Sequence, residues 1–377
     1  MEQKKKQQGS IIMMTLFDQE TQTTYVYKDR NDAKRFSTQK NRFSIRFKQS
    51  SLQGSYPNYE LDVYDAENHV QLHLYVTATS KPHWVAQEST NGFLPFGLSV
   101  YRYGFFPRGD IKGTLHIQNQ TYTITGVGYF EHVWGDFSYR NMFMNGKGVF
   151  RSFSCYAKLL MTWLQNHRIT LPNTIMFSSE NNPLGYDWIW GVLENGWTFF
   201  YGNSLFWLTK GPAAGLFILS KNGETYEEYY SVDFSYPTLG HNKEFDCYYP
   251  TSFDVIVKNG KEQLHLRCTM TSEVSTNIFR FPHPTFWKGL VLFESPGHVE
   301  GVYSSNGQHQ ILRGVCKIEP QRQASILDHT HLKMFFVKPP KGVGVFVEFY
   351  SRVIGKQING GLQVFPKIFC MFKIKRI

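Results

Sequence analysis

Between residues 126 and 135 the chain reads Gly-Val-Gly-Tyr-Phe-Glu-His-Val-Trp-Gly. This stretch combines a carboxylate, an imidazole, an indole and two further aromatics with glycines at 126, 128 and 135, more chemistry than a plain surface strand needs. Successive strand side chains point to opposite faces, so Phe130, His132 and Trp134 share one face with Gly128, while Tyr129, Glu131 and Val133 share the other. One face is then an aromatic wall carrying a titratable ring. The glycines suit a bulge, a sharp bend or a close backbone approach to a ligand. The plainer alternative is a strand of core aromatics with a hydrogen-bonded structural histidine.

Hydrating or cyclising an alkene needs a proton placed on carbon, and a carboxylic acid whose pKa is raised by an apolar wall can deliver it. Aromatic faces can stabilise the cation that follows. Glu131 and Asp187 are the candidate acids and His132 a candidate relay, with Trp134, Trp188, Trp190 and Tyr129 lining the path. A pericyclic reaction asks less: a folded polyene and one donor to polarise a carbonyl, for which His132 or Tyr129 would serve. A binding protein would use the same wall without turnover. For Glu131 a structural role competes, because an internal repeat keeps its counterpart where the other reactive groups are missing.

That repeat lies among strands. Gly113 to Glu131 aligns without a gap on Gly301 to Glu319, with Gly113 on Gly301, Gln120 on Gln308, Gly126 on Gly314, Val127 on Val315 and Glu131 on Glu319. Beyond it, His132 faces Pro320 and Trp134 faces Arg322, so only the first copy keeps the reactive pair. Elsewhere, short alternating runs such as Phe43 to Phe47, Tyr59 to Val63 and Gln71 to Val76 argue for an antiparallel meander. Asn195-Gly196 and Asn259-Gly260 supply hairpin turns. Phe150, Phe153, Ala157, Leu160, Met161 and Leu164 recur at helical spacing within residues 149–168. Tyr156, Leu159 and Trp163 make the other side apolar too, so we expect a helix packed in the core, with a lid over an opening as the alternative.

The totals narrow the classes. The chain has 377 residues, 41% hydrophobic and 19% charged, which provides a large core and argues against wholesale disorder. Aromatics reach 16%, as a deep apolar pocket would require. The net charge of +10 is spread along the chain, with Lys4-Lys5-Lys6 at one end and Lys373-Ile-Lys-Arg376 at the other. No basic stripe or recognisable module points to nucleic acid; peripheral contact with an acidic membrane suits the basic ends. Five cysteines, at 155, 247, 268, 316 and 370, form no CxxC or zinc spacing; buried free thiols and an intracellular protein, cytoplasmic or peripheral to a membrane, are expected. No signal peptide or transmembrane run is visible. Neither a GxGxxG opening a helix, nor a P-loop, nor a GxSxG elbow appears, so no cofactor and no metal are expected.

The 126–135 stretch, the upstream Tyr101-Arg-Tyr103 and Gly113-Thr-Leu115, and the downstream Asp187-Trp188 with Leu193-Glu-Asn-Gly196 together resemble the tandem lipocalin-like family. That family includes carotenoid 1,2-hydratases, AttH-like proteins and fungal Diels–Alderases. The resemblance runs over roughly residues 95–325. It implies two consecutive calyx-like barrels with a hydrophobic ligand in the first or between the two. It matches His132 and Trp134 to the family's proposed acid and pocket residues, and makes Tyr186 and Asp187 the nearest counterparts of a following Tyr and Asp.

The expectation is therefore an all-β protein of two tandem lipocalin-like antiparallel β-barrels. A disordered lead covers residues 1–10, the first barrel 11–240 with a helical insertion at about 149–168, and the second 241–377 with a basic C-terminal tail. The expected function is a cofactor-independent hydratase, cyclase or isomerase acting on a hydrophobic polyene or isoprenoid. Its catalytic residues would be His132, Asp187 and Glu131, and its substrate-binding residues Trp134, Tyr129, Tyr186, Trp188 and Trp190. A carrier for a lipid, isoprenoid or pigment, or a structural subunit with a filled barrel, are the alternatives.

Overall fold

Val70–Ala78 shows how the sequence makes its sheets: Val70, Leu72, Leu74, Val76 and Ala78 are buried, whereas Gln71, Tyr75 and Thr77 are exposed, the two-residue period of a half-buried strand. A computed structural model of the chain describes residues 10–18, 20, 23–31, 43–96, 99–135, 148–166, 174–178, 186–204, 214–230, 232–244, 247–271, 274–280, 287–325, 331–337, 344–350 and 363–376. The expected lead lies, apart from Ser10, outside the described residues. Two large antiparallel sheets dominate. The first runs Phe43–Phe47, Ser50–Ser55, Asn58–Asp65, Val70–Ala78, Ser99–Ile117, Gln120–Gly135, Gln363–Arg376, with His83–Trp84 and Phe93–Phe96 also paired to Ser99–Ile117. The second runs Val232–Ser235, Ser252–Asn259, Glu262–Met270, Trp287–Ser305, Gln308–Ser325, Tyr186–Leu193, Thr198–Ser204, Ala214–Ser220, Glu227–Tyr229. The architecture is all-β and lipocalin-like, as expected.

Each sheet encloses its own core. Leu52, Leu74, Phe106, Ile111, Ile124 and Phe130 fill the first, joined by Leu16 of the N-terminal hairpin, and Ile189, Phe199, Phe217, Phe253, Leu266 and Ile318 fill the second. A third cluster lies between them: Tyr103, Phe105 and Tyr129 from the first sheet meet Trp188, Trp190, Phe200 and Ile218 from the second. The hairpin 99–135 is therefore apolar on both faces.

The internal repeat is structural. Ser99–Ile117 and Trp287–Ser305 occupy equivalent central positions, and their glycines show why both copies keep them. A Cβ at Gly113 would lie 1.9 Å from the His73 carbonyl oxygen, and one at Gly301 2.0 Å from that of His265. Neighbouring backbones approach too closely for any side chain. The strands crossing there are themselves repeated, Gln71-Leu-His-Leu74 matching Gln263-Leu-His-Leu266, a signal the sequence reading overlooked because its spacing differs from that of the glycines.

The topology corrects the expected boundary at 240. Strands from Tyr186 to Ser235 belong to the second sheet, whereas Gln363–Arg376 pairs with Gln120–Gly135 in the first. The chain leaves the first sheet after residue 135, builds the second, and returns to cover the strand it left open. An uncovered strand would present unpaired backbone groups. The basic C-terminal tail is accordingly a paired strand, with Lys373 opposite Thr125 and Arg376 opposite Tyr122.

The inserted helix spans Val149–Asn166; residues 167 and 168 lie outside the described residues. Core packing of its periodic face is overturned. Phe150, Phe153, Ala157, Leu160 and Met161 are exposed, and the helix sits on its Ser152 and Cys155 side, with Ser89 hydrogen-bonded to Thr162 at 3.1 Å. Leu164 and Trp163 are outside the described side chains. Cys155, Cys268 and Cys316 are buried and free, as expected; the side chains of Cys247 and Cys370 are not among those described. Among the described residues no helix is long and apolar enough to cross a membrane.

Gly113→Ala and Gly301→Ala are each expected to cost at least about 2 kcal/mol, read as a lower denaturation midpoint in urea. An unchanged midpoint at either position would mean that the strands do not approach as described.

Candidate functional site

A bulge sets the direction of the reactive strand. Gln120–Gly135 pairs with Ser99–Ile117 with Gly128 opposite Gly109 and then Phe130 opposite Phe106, so the partner carries one extra residue. This is the irregularity that the glycines predicted. It keeps Ile124, Phe130, His132 and Trp134 on one face, toward the interior of the first sheet, and Tyr129, Glu131 and Val133 on the face toward the second.

In the first interior the aromatic wall continues upward from Phe130, which stacks on Tyr59 at 5.0 Å and Phe106 at 5.5 Å. Above it, His132 packs between Trp134, at 4.6 Å between ring centroids, and Phe43 at 5.5 Å. Its Nε2 is buried and has no hydrogen-bond partner among the described residues, which is uncommon and costly for a buried polar atom. Burial pushes the His132 pKa below the ordinary imidazole value, which favours the neutral ring at neutral pH. The rim is cationic and aromatic: Trp84 lies 5.6 Å from Trp134 and 3.8 Å from the Arg102 guanidinium, which also faces Phe93 at 5.2 Å.

The opposite face is occupied by structure. The Tyr103 hydroxyl donates to Glu131 and accepts the Trp188 indole N–H at 2.8 Å. The Trp190 indole donates to the Pro107 carbonyl at 2.7 Å, and Tyr129 is packed between the two indoles at 5.1 and 4.8 Å. Burial, with the neighbouring Glu131 carboxylate, holds the Tyr103 pKa well above the usual phenol range. The second sheet supplies a parallel arrangement: Tyr186 donates to Glu319 at 2.8 Å, and Lys317 bridges Glu319 at 2.6 Å and Glu294 at 2.8 Å. His83 and Glu228, 2.9 Å apart, tie the sheets together further along. Glu131 thus accepts from a tyrosine hydroxyl, as its counterpart Glu319 does in the repeat.

Asp187 lies in neither place. It is fully buried in the second interior, where Arg322 Nη2 donates to Oδ1 at 2.9 Å and the Tyr236 hydroxyl donates to Oδ2. Arg322 also donates to the carbonyls of Tyr186, Tyr248 and Gln321, and the Asp187 N–H donates to Asn203 Oδ1 at 3.1 Å. Burial, with Asp187 beside it, holds the Tyr236 pKa well above the ordinary value. Arg322 stands at the repeat position of Trp134, and Pro320 at that of His132. One interior therefore ends in an imidazole whose Nε2 has no hydrogen-bond partner among the described residues, its copy in a closed ion pair.

The three expected catalytic residues are consequently not together. His132 and Trp134 share the first interior, Glu131, Tyr129, Trp188, Trp190 and Tyr186 the zone between the sheets, and Asp187 the second interior. Alternation along two strands separates them, and alternation was visible in the sequence. Phe43, Trp84 and Arg102 were missed, because they come from other strands and no local pattern links them to His132. On the outer surface Glu60, Asp62 and His73 bring ligand-type atoms within 4.8 Å of one another, but Ser51 and Gln53 already bond the carboxylates, an ordinary cross-strand polar ladder.

Asp187→Ala strands a buried guanidinium and should destabilise by about 3–5 kcal/mol, whereas Asp187→Leu combined with Arg322→Met should recover part of the loss. Equal losses in both would show that charge pairing is not the cause. For His132 the unfolded chain binds a proton before the folded one, so stability is full above about pH 6.5 and falls as pH drops below it. His132→Gln should flatten that acid limb in thermal melts taken across pH; an unchanged limb would assign it to other groups.

No family model matches the sequence, and no curated protein does. Among solved structures, a Nitrosomonas europaea protein provisionally assigned as an AttH superposes with a TM-score of 0.51 at 14% identity, over 82% of this chain and 81% of that one. Kievitone hydratase from Nectria haematococca superposes with a TM-score of 0.48 at 8% identity, over 82% and 83%. The first likeness extends over most of both chains and is a likeness of fold: the chain is built like the AttH-type tandem lipocalin-like proteins that its Glu131-His-Val-Trp-Gly135 element resembles.

Proposed function

We propose that the first interior takes up a hydrophobic ligand of polyene or isoprenoid type and that His132 acts on its single polar or unsaturated end. The observation that carries this reading is the buried, unpartnered Nε2 of His132 within an aromatic wall, set against the closed Asp187–Arg322 pair at the equivalent level of the other interior. A ligand hydroxyl or carbonyl would supply the missing hydrogen bond, and apolar carbon would lie along Phe130, Phe43 and Trp134.

A neutral imidazole suits hydration, cyclisation or double-bond isomerisation. Where the double bond is conjugated to a carbonyl, the imidazole accepts the proton of the adding water or of the acidic carbon and returns it to the carbon that gains the electron pair, so electrons balance without an oxidant or reductant. Glu131 and Asp187 hold the scaffold in this reading and are not proton donors to the ligand. A carrier is the second reading, since the same hydrogen bond retains a ligand without turnover.

Native mass spectrometry of protein purified from its own cells, followed by lipid extraction, identifies the ligand class for a turnover assay. Catalysis predicts that His132→Ala lowers kcat by at least about 100-fold while ligand affinity is largely kept. Loss of affinity together with any turnover would establish carriage instead, and a preparation that binds no isoprenoid or polyene would overturn both.

A further inference from the structure

The helix Val149–Asn166 turns its most apolar face away from the protein. Phe150 is 93% exposed, Phe153 59%, Leu160 53% and Met161 56%. At 100° per residue these four and Ala157 fall on one stripe, bordered on one side by Arg151 and Lys158, which are also exposed. An apolar stripe of that size is unusual on a folded protein, and no other described element covers it. The helix is held from beneath: it lies against Phe93–Phe96, with Arg151 over the Phe93 ring at 5.1 Å. Phe93 in turn contacts Arg102 at the rim of the His132 interior.

We infer that this helix docks the protein on an anionic lipid surface. Charge selects this occupant. From Lys147 to Arg168 the sequence carries four cations, Lys147, Arg151, Lys158 and Arg168, and no carboxylate, within a chain of net charge +10. Phenylalanine, leucine and methionine on one face with Lys and Arg at the border is the composition of a helix lying in the plane of a headgroup layer, its apolar side sunk to the acyl boundary. A second copy of so basic a surface would repel its twin, whereas anionic headgroups neutralise it. The helix is attached beside the rim of the first interior, so docking brings that rim to the membrane, where an apolar molecule is most concentrated. The docking itself needs no ligand and does not depend on the reading of His132.

The test is flotation of the full chain with vesicles of phosphatidylcholine alone and of phosphatidylcholine containing phosphatidylglycerol. Binding is expected to the anionic vesicles and to weaken with salt. Phe150→Ser, Phe153→Ser and Leu160→Ser combined should reduce partitioning at least about tenfold with unchanged circular dichroism, since all three side chains are exposed. Arg151→Gln with Lys158→Gln should remove the preference for anionic lipid. Absence of wild-type binding, or binding that survives the triple substitution and therefore comes from the basic chain ends, would overturn the proposal. So would a dimer in light scattering that the same substitutions dissociate, because the stripe would then be a contact between copies.

Discussion

The hairpin 99–135 must bury both of its faces, and most of the molecule follows from that requirement. One face completes the first core through Phe106, Ile111, Ile124 and Phe130; the other presents Tyr103, Phe105 and Tyr129 to Trp188, Trp190 and Phe200 of the second sheet. Burying polar atoms on such a surface is costly unless they are paired. The chain from the Trp188 indole through the Tyr103 hydroxyl to Glu131 is that pairing. It links the two sheets, and on the opposite side of the same strand the His132 Nε2 is buried with no hydrogen-bond partner among the described residues.

The two interiors share a repeated frame and differ at its ends. Gly113 meets the His73 carbonyl and Leu74, and Gly301 the His265 carbonyl and Leu266, so the frame of the two copies is alike. What differs is the end of the repeated strand. Trp134 and His132 in one copy correspond to Arg322 and Pro320 in the other, and the arginine recruits Asp187 and Tyr236 from other strands. At that level of the second interior Asp187, Arg322 and Tyr236 satisfy one another. The first has an aromatic wall, the His132 imidazole and a rim of Trp84 and Arg102. The return of Gln363–Arg376 joins the two units: the second sheet is assembled from residues 186–325, and the first takes its edge strand from beyond them.

The inserted helix follows a different logic from the sheets. A helix apolar on both sides satisfies only one of them by packing on Phe93–Phe96 and the segment around Ser89. The side left outward is the one with the stronger periodicity, and its border is basic. A surface so composed is stable in water only at some cost in exposed apolar area, which a headgroup layer would relieve.

The sequence by itself determined the all-β class, the turn positions, the repeat and the split of residues 129–134 between two faces, because each is local: alternation, glycine where backbones touch, Asn-Gly at a hairpin. It also determined that His132 and Trp134 lie together, two residues apart on one strand. It did not determine what faces them. Asp187 was grouped with His132 by residue type and family likeness, but cross-strand pairing over more than a hundred residues places it in the other interior, and no local spacing encodes that pairing; Glu131 is separated from its neighbour His132 by strand alternation alone. Which side of the helix packs, where the C-terminal strand inserts, and which buried charges find partners were likewise decided by tertiary contacts. A side chain's chemistry is written in the sequence, whereas its desolvation and its partners depend on strands brought together only by folding.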